Sequence, residues 1–249
     1  DKFPRGIRGE VKWQIQRLAL KGATRIIADS QSSKQDIVTF TGVNERNIIS
    51  VYLAPDPEIV AGATESKKRK RYFIYVGDLN WNKNIGGLLE GFSRAKLGVN
   101  LVIVGRAFLD EKLSEAIAVR EQIKHLGLET SVKFVGHVSD AELGALYASS
   151  IGCVLASFYE GFGLPILEAM ACGTPVVCAR GSSLDEVAGP AFRVDADNAD
   201  SIAKQLSRLV DLTTQERKEL IDSGKKWVAR FTWERVVRET VAVYESCVA

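Results

Sequence analysis

The chain has 249 residues, 46% of them hydrophobic and 26% charged, which is room for one large domain, or one domain and part of another, around an ordinary core. Its net charge of +2 argues against a nucleic-acid-binding protein. The four cysteines (Cys153, Cys172, Cys178, Cys247) form no CxxC pair, which argues against a zinc site, and a reduced, cytoplasmic protein is the simplest account. No run of about 18 or more apolar residues occurs, so no bilayer-spanning segment is expected, and no signal peptide is evident.

The opening segment is basic. Residues 1–25 hold Lys2, Arg5, Arg8, Lys12, Arg17, Lys21 and Arg25 against Asp1 and Glu10. Such a segment can rest peripherally on the anionic inner face of a membrane, although a solvated helix face accounts for the charges more simply. Ala23–Asp29 reads as a strand, and Ser30-Gln-Ser-Ser-Lys as a helix start capped by Ser30 or Ser32. Ile48–Tyr52 reads as a second strand, after which Leu53-Ala-Pro-Asp-Pro57 breaks the chain. Two strands and two helices over residues 1–60 are too little for an independent core. Pro55 and Pro57 therefore read as a hinge, and Lys67–Arg71 as a charged linker rather than a phosphate or membrane site.

From residue 72 short apolar runs alternate with helical stretches. Tyr72–Val76 ends at Gly77, Leu101–Val104 at Gly105 and Val132–Val135 at Gly136, with Cys153–Ala156, Pro175–Cys178 and Ala191–Val194 following. Helices are expected over about 85–97, 110–126, 140–149 and 165–172, with more helix from 199 to the end. This alternation predicts an α/β fold with a Rossmann-like, doubly wound parallel sheet. Ligands of such sheets bind beyond the carboxyl ends of the strands, where the strand order reverses. The loops to inspect are therefore 77–84, 105–109, 136–140, 157–164 and 179–187.

The most informative stretch is Phe158-Tyr-Glu-Gly-Phe-Gly-Leu-Pro-Ile-Leu-Glu-Ala-Met-Ala-Cys-Gly-Thr-Pro175. Pro165 suits the first position of a helix. Gly161 and Gly163 let the backbone approach a ligand closely, and unpaired N–H groups at the helix start suit a phosphate. Glu160 lies in the loop before the helix and Glu168 one turn inside it, so both can face one crevice; each also has a plain reading, as a loop charge and as a first-turn residue. In Tyr75-Val-Gly-Asp-Leu-Asn-Trp-Asn-Lys-Asn84, Lys83 sits just before a helix, where a cation opposes the helix dipole and a diphosphate would account for it. His137, in Gly136-His-Val-Ser-Asp140, has no nucleophile or acid spaced to form a triad with it. Ser139-Asp140 reads as a helix N-cap.

The Glu160–Glu168 spacing, with Gly-Phe-Gly-Leu-Pro between, Cys-Gly-Thr-Pro-Val-Val after and Ser182-Ser-Leu-Asp-Glu186 beyond, resembles the signature of the retaining glycosyltransferases of family GT4, which have the GT-B fold. The likeness covers roughly residues 24–249. It implies a transferase that moves a hexose from a UDP- or GDP-linked sugar to a saccharide or lipid-linked acceptor, with this chain supplying donor binding. It implies Glu160 and Lys83 as catalytic residues: Glu160 on the donor-sugar hydroxyls, Lys83 on the diphosphate. It implies that Glu168 holds the ribose, that Gly77 ends the strand at the phosphates, that Gly161, Phe162, Gly163 and Leu164 face the distal phosphate, and that the His137 loop lies beneath the base. Many relatives carry a basic residue after the strand-ending glycine. Here Asp78 stands there, and Arg106, at the matching end of the next strand, is the candidate replacement.

No metal or other cofactor is implied. The likeness also implies that residues 1–60 are the end of an acceptor-side Rossmann-like domain, 61–231 the nucleotide-sugar-binding domain, and 232–249 a helix, capped by Thr232, that crosses back to the first domain. The remainder of that first domain, or a second chain carrying it, is then an expected partner. The alternative is a non-catalytic nucleotide-sugar-binding module or one subunit of a split transferase. The glutamate pair disfavours an epimerase, and no lysine has the surroundings of a pyridoxal phosphate site.

Overall fold

The computed structural model describes residues 6–63 and 70–248. Lys2, Arg5 and Lys67–Arg69 of the two basic stretches lie outside these residues. The chain divides into two compact units, residues 1–53 with 233–249, and residues 54–232.

In the larger unit six strands form one parallel sheet: β3 (Tyr72–Val76), β4 (Asn100–Val104), β5 (Val132–Val135), β6 (Gly152–Leu155), β7 (Val176–Ala179) and β8 (Phe192–Val194). Their order is β5-β4-β3-β6-β7-β8. The chain thus builds outward from β3 to one edge, crosses back to β6 and builds to the other edge. Register is set by pairs such as Tyr75 with Ile103 and Ile74 with Cys153. The central strands read as unbroken apolar runs because both faces are covered; Phe73, Ile74, Tyr75, Cys153, Val154 and Val177 are fully buried.

Right-handed crossovers and the reversal at β3/β6 place helices on both faces. On one, α4 (Ile85–Ala95) packs against α5 (Ser114–His125) and α9 (Ala199–Val210). On the other, α7 (Leu164–Ala171) packs against α6 (Asp140–Ser149) and α10 (Thr214–Val228). Ser139 closes a capping box with Glu142 at the start of α6, as its position in the sequence suggests. A short helix, α8 (Leu184–Val187), interrupts the loop expected over 179–187.

The structure corrects the reading of Pro57. It does not only break the chain; it is the first residue of a helix, α3 (Pro57–Gly62), capped by Asp56, whose side chain accepts from the Glu58 N–H at 2.8 Å. Proline at that position costs nothing because its missing N–H would have had no intrahelical partner. This helix belongs to the larger unit and lies against α6 with almost no space between the backbones.

The smaller unit holds α1 (Gly6–Lys21), β1 (Ile26–Ala28), α2 (Gln31–Thr41), β2 (Ile48–Ser50) and α11 (Trp233–Val248). The two strands are parallel, with Ile27 opposite Ile49. Ser30, not Ser32, caps α2, accepting from the Ser33 N–H at 2.9 Å. Ile26, Ala28, Val43 and Ile48 form a small core, with Leu20, Ile37 and Val38 packed on it. No helix among the described residues is long and apolar enough to cross a membrane.

The α3–α6 contact is testable. A Cβ on Gly144 would stand 1.9 Å from the Ile59 carbonyl oxygen, which is backbone and cannot swing away. Gly144→Ala is expected to lower stability by about 3 kcal/mol, at the upper end of ordinary overpacking, in urea denaturation.

Candidate functional site

The strand order reverses between β3 and β6; in sheets of this kind the loops following two such strands diverge and leave a crevice at the carboxyl edge. The first loop carries Lys83 and the second Glu160. The structure joins them: Lys83 Nζ donates to Glu160 Oε2 at 2.8 Å and Oε1 at 3.0 Å. Ser157 Oγ donates to the same carboxylate at 2.7 Å. Glu160 is 7% exposed, so its charge is held by this cation and hydroxyl rather than by bulk water.

Lys83 is placed by a 3-10 turn over Trp81–Lys83 and by Asn84 after it. Asn84 takes the left-handed conformation at φ +52°, which asparagine tolerates, and caps α4 by accepting from the Gly87 N–H. Its side-chain amide donates to the Ala156 and Ala196 carbonyls at 2.9 and 2.7 Å, tying the loops after β3, β6 and β8 together. Asn82 adds a second tie: its side chain donates to the Tyr159 carbonyl, and its own carbonyl accepts from the Phe158 N–H.

The backbone around Glu160 is fastened from below. Its N–H donates to Ser182 Oγ at 3.1 Å, and the buried Ser183 hydroxyl lies 2.9 Å from both the Glu160 and the Phe162 carbonyl oxygens. Gly163 then turns into α7 at φ +100°, a conformation that side chains rarely adopt. Leu164, not Pro165, is the first helical residue, and Pro165 follows it. The first N–H groups of α7 have no carbonyl within the helix to bond, so the helix start can accept a negative charge.

Glu168, one turn on, is also buried, at 8% exposure. The hydroxyl of Tyr147, itself fully buried, donates to its Oε2 at 3.1 Å. Burial pushes the Glu168 carboxyl up from 4.5 to about 7; Asp56 and Asp140 push the same way, while the Tyr147 hydrogen bond opposes them. Asp140 follows the loop of His137, so Glu168 belongs to the end of the site that this loop borders.

Gly77 and Arg106 lie at the ends of the neighbouring strands β3 and β4. Gly77 has φ +155°, and a Cβ on Gly105 would meet its carbonyl oxygen at 2.3 Å, so the two loops touch with no room for side chains. Arg106 opens a 3-10 turn and is exposed, its side chain making no hydrogen bond or ion pair among the described residues. Asp78 is exposed, and its carbonyl accepts from the buried Tyr75 hydroxyl at 3.0 Å. His137 is exposed after the edge strand β5, and nothing among the described residues links it to Lys83 or Glu160.

Sequence reasoning singles out Lys83, Glu160 and Glu168 but passes over Tyr147, Ser157, Asn82, Asn84 and Ser183. No spacing marks these five. Ser183 falls inside the Ser182–Glu186 motif, and Asn82 and Asn84 inside Tyr75–Asn84, which are the signals the sequence offers for them.

Residues 58–227 match the family of glycosyl transferases group 1, and the chain belongs to that family. The MMP alpha-(1->4)-mannosyltransferase of Mycolicibacterium hassiacum is 31% identical over 243 residues, 95% of this chain and 57% of that protein. The O-antigen chain mannosyltransferase B of Escherichia coli is 34% identical over 181 residues, 70% of this chain and 45% of that protein. The chain thus spans about half the length of these two curated relatives. Among solved structures, a glycosyltransferase from Rickettsia africae ESF-5 superposes with a TM-score of 0.81 at 18% identity, over 93% of this chain and 66% of that one. Anabaena Alr3699/HepE, in complex with UDP and glucose, gives 0.81 at 20% identity, over 98% and 68%. These similarities establish the parallel doubly wound fold of the GT-B transferases.

Glu168 makes stability depend on pH in a stated direction. With its folded value raised, folding favours the protonated carboxyl. The cost is absent below about pH 4, grows as pH rises toward 7 and stays constant above. Glu168→Gln removes it. Each tenfold weakening of an acid is worth about 1.4 kcal/mol, so the variant should gain about 3 kcal/mol on the wild type between pH 4 and 8 in urea denaturation.

Proposed function

We propose that this chain binds the donor of a retaining glycosyltransferase, a hexose carried on UDP or GDP, and that the whole protein transfers the hexose to a saccharide or lipid-linked acceptor. The observation that carries the reading is the Lys83–Glu160 pair at the reversal of strand order, beside the start of α7. A compact cation and a helix N-terminus on one crevice suit a diphosphate. The buried carboxylate of Glu160 suits sugar hydroxyls, and Glu168, beyond the first turn of α7, suits the ribose, since a carboxylate accepts two hydroxyl donors. Several relatives are named mannosyltransferases, which favours mannose as the hexose. The UDP held by Anabaena HepE supports a nucleotide-linked donor.

In this reading the bond between the anomeric carbon and the distal phosphate oxygen breaks, and its electron pair leaves with the diphosphate. Positive charge builds on the sugar ring and negative charge on the leaving group. Lys83, the N–H groups of Gly163 and Leu164, and Arg106 at the neighbouring strand end stabilise the latter. The acceptor hydroxyl attacks on the face from which the diphosphate departs and passes its proton to a departing phosphate oxygen. Configuration is thereby retained without a protein nucleophile, and no metal takes part. Glu160 positions the sugar, and its hold on Lys83 keeps the ammonium at the crevice.

The second reading is a donor-binding module or the donor half of a split transferase. Both readings require donor binding by these 249 residues. Titration calorimetry with GDP-mannose and UDP-glucose should show one of them binding. Lys83→Ala should weaken it roughly 10- to 100-fold, the range for a lost charge-assisted hydrogen bond. Glu160→Gln should narrow the preference for the sugar nucleotide over the bare nucleoside diphosphate. Absence of binding to either nucleotide sugar, or an unchanged affinity in Lys83→Ala, would overturn the proposal.

A further inference from the structure

The two loops that border the crevice each present an aromatic side chain that the fold leaves exposed. Trp81, in the 3-10 turn that carries Lys83, is 52% exposed, and Phe158, two residues before Glu160, is 36% exposed. Their rings stack, with centroids 6.4 Å apart and 26° between the planes. One residue separates each ring from the ion pair: Asn82 lies between Trp81 and Lys83, and Tyr159 between Phe158 and Glu160.

The pair is held rather than loose. The Phe158 N–H donates to the Asn82 carbonyl at 2.8 Å, the Asn82 side chain donates to the Tyr159 carbonyl at 3.0 Å, and Lys83 closes on Glu160. Three ties across one narrow gap fix both loops, so a ligand meeting the rings would order little. Exposed tryptophan and phenylalanine cost solvation, and a rigid exposed pair beside a polar crevice has the composition of a binding surface.

We propose that Trp81 and Phe158 form a stacking platform for the pyranose ring of the acceptor saccharide. A pyranose has a face of polarised C–H groups and a rim of hydroxyls; the first suits the electron-rich face of an aromatic ring, the second suits neighbouring amides and carboxylates. The position selects the acceptor rather than the nucleotide. Glu168 and the loop of Asp140 define the nucleoside end, and Glu160 with Lys83 the sugar end, so rings two residues from each of the latter border the place where a second sugar must approach. This inference rests on the donor-binding reading above.

The test uses the 249-residue chain saturated with GDP or UDP, whichever binds. Saturation-transfer difference NMR with methyl α-D-mannopyranoside, and with methyl α-D-glucopyranoside, should show transfer concentrated on the ring protons of one face. Trp81→Ala and Phe158→Ala should each reduce it several-fold, Trp81→Phe should retain most of it, and nucleotide affinity should stay within error in all three. Equal saccharide transfer in wild type and Trp81→Ala, or none in wild type while nucleotide binds, overturns the platform. Saccharide transfer that depends on Trp81 without nucleotide binding would instead overturn the donor reading and leave a sugar-binding surface.

Discussion

The structure depends on a single topological constraint, the reversal of strand order between β3 and β6. Parallel strands need crossovers, and crossovers of one hand force helices to opposite faces when the direction of building reverses. The loops after β3 and β6 then leave a gap that only a few contacts cross. It is spanned by the ion pair of Lys83 with Glu160, whose carboxylate also accepts from Ser157, and by the hydrogen bonds of Asn82. A buried pair of this kind contributes little net stability, because desolvation offsets the attraction. Its place at the carboxyl edge of the sheet is accounted for by the donor-binding reading proposed above.

Around this pair the fold spends many polar interactions on holding loops still. Asn84 stitches three strand ends, Asn82 stitches two loops, and Ser182 and Ser183 fasten both sides of the Glu160 peptide unit. The result is a site whose geometry is set before any ligand arrives, which is the condition under which oriented charges act strongly on a leaving group. Glu168 shows the cost. Its carboxyl is buried with one hydroxyl donor and two acidic neighbours, an arrangement that weakens the folded state at neutral pH and is satisfied only when more donors reach it.

The two units differ in what their residues can support. The larger has a six-stranded sheet covered on both faces and a continuous buried core. The smaller has, among its described residues, two strands and three α-helices around a handful of apolar side chains. The family match, residues 58–227, falls within the larger unit, which is also where every candidate site residue lies.

Much of this was legible in the chain by itself. Strands that are buried on both faces must be apolar throughout, so β3 to β8 stood out as short runs ending in small or turn-forming residues, close to their observed limits. The helix start near Pro165 and the glutamates around it could be read because local backbone rules act over a few residues. Other features could not be read. Helix α3 was hidden because proline is compatible both with a chain break and with a first helical turn, and only packing against Gly144 decides between them. The pairing of Lys83 with Glu160, the Tyr147 hydroxyl on Glu168 and the stacking of Trp81 on Phe158 join residues 77, 21 and 77 positions apart. Contacts over such separations leave no period or spacing in a sequence; they exist only after the order of strands has brought distant loops to the same edge.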